Sequence, residues 1–163
     1  MSSGDPHGAA PEGVSVALAA VVGIACFGAL GLLGLGMLSY FSDTDILAVE
    51  GLTLWPGIIG MLVAIAVFAG MLIAVLRRRS SRLASILAVG LVTVVAHVAA
   101  VWVSAVIGGA GLAHASVAGS QLIVRGSSLV LFAVAALAAG IAVALRRARG
   151  GTPKWPWERD DEL

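Results

Sequence analysis

The sequence predicts an all-α integral membrane protein, a bundle of four transmembrane helices open to description as two tandem helical hairpins. Three observations predict it. The 163 residues are 60% hydrophobic and 12% charged, with mean hydropathy +1.03. A soluble domain carries about 25% charged residues. Four apolar runs are long enough to cross hydrocarbon about 30 Å thick, which takes about 20 helical residues. Nine of the ten basic side chains fall on one side of the membrane if the chain crosses it four times. A water-soluble helical core is excluded because no run carries a polar face.

Residues 1–13 form a polar N-terminal tail with Asp5, His7 and Glu12 but no Lys or Arg. It lacks the basic start of a signal peptide. The transmembrane domain is expected over residues 14–146. Its first span runs from Val14 to about Leu38 and holds Cys26, the single cysteine, so no intramolecular disulfide can form. A loop with Asp43, Asp45 and Glu50 follows. The second span is Trp55 to Leu76, with Pro56 in its first turn, where a missing N–H leaves nothing unpaired. Arg77, Arg78, Arg79 and Arg82 lead to the third span, Leu83 to about Ile107. A long loop is expected before the fourth span, about Val124 to Leu145, which Arg125 opens. Residues 147–163 form a C-terminal tail that carries Arg147, Arg149, Lys154 and Arg159 and the segment Pro153-Lys154-Trp155-Pro156-Trp157.

Basic residues stay on the cytoplasmic side of a membrane. Both termini are therefore expected in the cytoplasm. The rarity of lysine and the abundance of Ala, Gly and Val suit a high-GC bacterial genome, hence a bacterial inner membrane. Tyr40, Phe41, Trp55 and Trp102 would mark the outer interface, and Trp155 and Trp157 the inner one.

A shift of 69 residues aligns residues 57–78 with the fourth span, with eight of 22 positions identical, Leu76-Arg77-Arg78 among them. In an Ala-rich chain several identities arise by chance, so a duplicated hairpin and an ordinary four-helix bundle both fit. Helices associate in lipid where small side chains let backbones approach. The stripes expected to do this are Gly28, Gly31 and Gly34 in span one and Ala66, Gly70 and Ala74 in span two. Span three offers Ala96, Ala100, Ser104 and Gly108, and span four Ala136, Gly140 and Ala144. A spare stripe could dock a partner protein.

Thr93, His97 and Ser104 share one face of span three, with His97 about 21 Å along the helix from Leu83. An ionisable group in lipid is a functional candidate by default. His97 could carry a proton, ligate haem or tether two helices. Haem wants a second axial ligand, and neither His7 nor His114 faces it from another span. A proton relay is weakened by the lack of any carboxylate in a span. A tether between helices is the plainer role. At the outer surface Asp43, Asp45, Glu50 and Arg125 form a candidate charge cluster, in which an exposed pair is worth about 0–1 kcal/mol.

No catalytic motif, paired metal ligands or phosphate loop is present, so no enzyme activity, cofactor or metal is expected. The net charge of +1 gives no field for nucleic acid. Expected partners are the lipid bilayer and a membrane protein or further copies of the chain. The leading expectation is a non-catalytic accessory or scaffolding subunit of a larger membrane complex. The alternative is a small transporter or channel, as a homodimer, with His97 lining the path.

Overall fold

The computed structural model describes residues 14–42, 55–78, 83–109, 111–124 and 126–147. All regular structure among them is helical: α1 Val16–Ser42, α2 Trp55–Arg77, α3 Leu83–Ile107, α4 Gly111–Val124 and α5 Ser127–Arg147. Four helices, α1, α2, α3 and α5, are long and apolar enough to cross a membrane. Their 27, 23, 25 and 21 residues span roughly 32 to 40 Å at the α-helical rise.

The starts and breaks follow from local chemistry. Ser15 caps α1, its hydroxyl oxygen accepting the Leu18 N–H at 3.2 Å. Pro56 is buried in the first turn of α2. Gly109 and Gly111, at φ +85° and +76°, break the chain after α3, and Gly126, at φ +82°, breaks it again before α5. Glycine takes this left-handed region without steric cost.

The spans alternate in direction, as two consecutive antiparallel hairpins. Phe27 of α1 stacks on Phe68 of α2, with centroids 4.4 Å apart and planes 16° apart. Both rings are fully buried. Around the bundle the neighbours are α1–α2, α2–α3, α3–α5 and α5–α1, with α1 and α3 across a diagonal. Gly23 marks the tightest meeting of α1, α2 and α5. A Cβ there would lie 2.7 Å from Leu72 Cδ2 and 2.9 Å from Ala142 Cβ. Gly90 brings α3 against α5, where a Cβ would lie 3.1 Å from the Phe132 ring and 3.2 Å from its carbonyl oxygen.

Three expectations change. The stretch between the third and fourth spans is largely helix α4, and Val124 closes that helix, so the fourth span starts at Ser127. Ala115, Ala118, Gly119 and Leu122 are its buried residues. They recur at three- and four-residue steps, as one face of a docked helix must. α1 continues past Leu38 to Ser42, so Tyr40 and Phe41 are helical, exposed and in edge-to-face contact at 5.5 Å.

The small-residue stripes are the third change. In α2 the buried face is Gly60, Ala64, Phe68, Leu72 and Leu76, whereas Ala66, Gly70 and Ala74 are exposed. In α5 the face inside is Leu131, Ala135, Ala138, Ala139 and Ala142. Ala144 is exposed, and a Cβ on Gly140 would touch nothing within 4 Å. In α1, Gly31 and Gly34 do pack, against Met61 and Val130, but Gly28 faces open space. In α3, Ala96, Ala100 and Ser104 flank the buried run Val89, Gly90, Thr93, His97, Val101 and Ala105. Each helix has more than one small-residue row, and sequence spacing alone does not rank them.

The internal repeat is not mirrored in packing. Shifting by 69 residues maps buried Ala64, Phe68 and Leu72 onto Ala133, Leu137 and Ile141, all exposed. Conversely, exposed Leu62 and Ala66 map onto buried Leu131 and Ala135, so the two helices turn different faces inward.

Candidate intramembrane site and cationic helix end

Thr93, His97 and Ser104 are brought along one side of α3, but each settles its polar atoms differently. Thr93 is fully buried and its hydroxyl donates to the Val89 carbonyl of its own helix at 2.7 Å. Ser104 is half-buried and its hydroxyl reaches the Ala100 and Val101 carbonyls at 2.6 and 3.0 Å. Ser and Thr hydroxyls in helices commonly back-bond in this way. Neither crosses to another helix.

His97 is different. It is 9% exposed, and its buried Nδ1 makes no hydrogen bond of good geometry, although the Gly60 backbone lies beside the ring. The ring lies in the notch left by Gly60 on α2. A Cβ on Gly60 would stand 3.2 Å from both Cε1 and Nδ1 of the imidazole, and would collide with Val101. The glycine thus makes room for the histidine between α2 and α3. An orphaned buried polar atom is uncommon in a folded protein and demands a physical reason.

Helix α4 folds back along the later part of α3. Trp102 Nε1 approaches Ser116 Oγ at 3.5 Å, and its Cδ1 lies 3.9 Å from the Cβ position of Gly119. Ser127 Oγ donates to the Leu122 carbonyl at 2.7 Å, tying the start of α5 to the end of α4. Gln121 Oε1 and Ser128 Oγ are two further buried polar atoms without partners. Gln121 was not expected, because residues 108–123 read as a loop, and Ser128 lies within the predicted fourth span without having been singled out.

At the opposite end of the bundle Arg146 joins three helices. Its Nε donates to the Leu76 carbonyl near the end of α2 at 3.3 Å, and a terminal nitrogen donates to the Val14 carbonyl just before α1 at 3.1 Å. The last carbonyls of a helix have no partner within it, so this guanidinium satisfies one of them. Arg77, Arg78 and Arg147 are exposed beside it. That Arg146 would differ from its neighbours is not visible in Leu145-Arg146-Arg147. The contact depends on which way the last turn of α5 faces.

Asp43, Asp45, Glu50 and Arg125 lie outside the described residues, as do His7, Trp155 and Trp157. Cys26 is a free, half-buried thiol in α1. No group of three His, Cys, Asp or Glu side chains converges among the described residues. Comparison with known protein families, with characterised proteins and with solved structures finds no match.

Proposed function

We propose that this chain is a non-catalytic accessory or scaffolding subunit that docks through its spans onto a larger complex in a bacterial inner membrane, with both termini cytoplasmic. The outward small-residue row of α2 carries this reading. Ala66, Gly70 and Ala74 are exposed, and a Cβ on Gly70 would meet nothing within 4 Å. In lipid, apolar surface alone gives helices little reason to associate, and close backbone approach at small residues supplies it. The test is crosslinking in intact membranes followed by mild solubilisation and mass spectrometry. A defined membrane partner, lost on Gly70→Leu while the chain stays folded, is the expected result. A wild-type chain that crosslinks to nothing and elutes alone refutes the proposal.

A second reading rests on the buried His97 imidazole between α2 and α3, whose Nδ1 lacks a hydrogen bond of good geometry. There the chain is a small transporter or channel whose path includes the imidazole. His97→Ala in reconstituted vesicles should then abolish flux with folding intact, and unchanged flux removes this reading.

A further inference from the structure

Helix α4 is too short to cross a membrane, and two contacts fix the depth of its end. The first is Gly90 of α3 against Phe132 of α5. From there α3 continues to Ile107 while α5 reaches back only to Ser127, so α5 starts about 18 Å short of the end of α3. The second is Trp102 of α3 beside Ser116 and Gly119 of α4. Beyond Gly119, α4 runs on to Val124, which carries it about 8 Å further back along α3. Both routes end within a turn of His97. Trp102 itself lies about 28 Å along α3 from Leu83, where hydrocarbon about 30 Å thick ends. The two ends of α4 therefore lie at different depths, and Val124 is the deeper one.

The chemistry of α4 suits that depth. It contains no Asp, Glu, Lys or Arg. Leu112, Val117, Ile123 and Val124 are exposed, as are Val103 of α3 and Leu129 of α5 near the contacts that hold it. Ser116 and Ser120 are exposed too, but their hydroxyls donate to the Leu112 and Val117 carbonyls of α4 itself, at 2.8 Å each. At the deep end the Gly126 N–H donates to the Ile123 carbonyl at 3.2 Å and the Ser127 hydroxyl to the Leu122 carbonyl at 2.7 Å. A helix end leaves its last carbonyls open, and in hydrocarbon the protein itself has to satisfy them.

The geometry points to α4 as a re-entrant helix that enters the leaflet opposite Arg146 beside Trp102 and presents Val117, Ile123 and Val124 to the acyl chains there. A helix lying flat on the surface would keep both ends at one depth. The assignment rests on the chain lying in a membrane and on neither reading of its function.

Spin labelling of the full chain in phosphatidylcholine vesicles tests it. In a Cys26→Ala background, nitroxides are placed on single cysteines at Ala113, Val117 and Val124, with Leu91 of α3 as the reference, all four exposed positions. Power saturation compares collisions with oxygen, which concentrates in hydrocarbon, and with a water-soluble nickel chelate. The oxygen-to-nickel ratio should rise severalfold from position 113 to position 124 and approach that of position 91. Nickel access at 124 equal to that at 113, with 91 protected, overturns the re-entrant helix alone. Low access of both reagents at 117 and 124 means that another protein surface covers α4 and overturns the lipid contact. Nickel access at 91 overturns the membrane reading as well. If Val124→Cys loses its helical circular dichroism, Ile123→Cys replaces it and is judged by the same ratio.

Discussion

At the scale of single residues, glycines are the sharpest probes, because two that look equivalent in sequence sit in opposite environments. Gly60 faces His97 and Val101, while Gly70 faces open space on the same helix. Gly60→Ala pushes a methyl into the β-branched Val101 and against an imidazole with little freedom to yield. Overpacking of this kind costs about 1–3 kcal/mol. Gly70→Ala meets nothing and gains helix propensity of up to about 1 kcal/mol. Thermal unfolding in detergent should therefore show Gly60→Ala less stable than wild type and Gly70→Ala equal or more stable; equal destabilisation by both would contradict the packing described. His97 as a polar group in lipid was legible from sequence, since any ionisable residue stands out in so apolar a chain. Its partner was not. Gly60 carries no chemical signal, and only the rotation of α2 in space brings it to the imidazole.

At the scale of elements, the four spans were legible and the short helix α4 was not, for one physical reason. Length and hydropathy define a span, but α4 has only 14 residues, too few to cross hydrocarbon. Its own periodic row of Ala115, Ala118, Gly119 and Leu122 was present to be read, yet a criterion of span length passes over it. Gly109, Gly111 and Gly126, all at positive φ, set the two corners that fold α4 back on α3. Gly126 is the decisive one. With φ at +82°, its carbonyl accepts the Val130 N–H at 3.0 Å as α5 begins. Gly126→Ala would force a Cβ into the left-handed region, which costs about 1–2 kcal/mol. Because the strain falls at the α4–α5 corner, faster amide exchange should be confined to α4 and the first turn of α5. Uniform acceleration across α1 and α2, or none anywhere, would argue against this corner.

For the whole molecule, the relation between its two ends makes the strongest demand. The Arg146 contacts require that the start of α1, the end of α2 and the end of α5 share one end of the bundle. Alternation then puts Tyr40, Trp55 and Ile107 at the other. This arrangement was largely legible in the distribution of arginines, but the reason it is rigid was not, since the sequence treats Arg146 and Arg147 alike. They should separate on mutation. Arg146→Gln removes two charge-assisted hydrogen bonds to carbonyls of different helices, worth about 1.5–3 kcal/mol each before compensation by water. Arg147 is exposed, where an ionic contact is worth about 0–1 kcal/mol, so Arg147→Gln should cost less than Arg146→Gln. The geometry can be checked independently of stability. In a Cys26→Ala background, single cysteines at Arg78 and Arg147 should react with a membrane-impermeant maleimide from one face of the membrane, and cysteines at Tyr40 and Ile107 from the opposite face. Labelling of positions 78 and 147 from different faces would mean that α2 and α5 do not run in the same direction. The three-helix contact of Arg146 could not then exist.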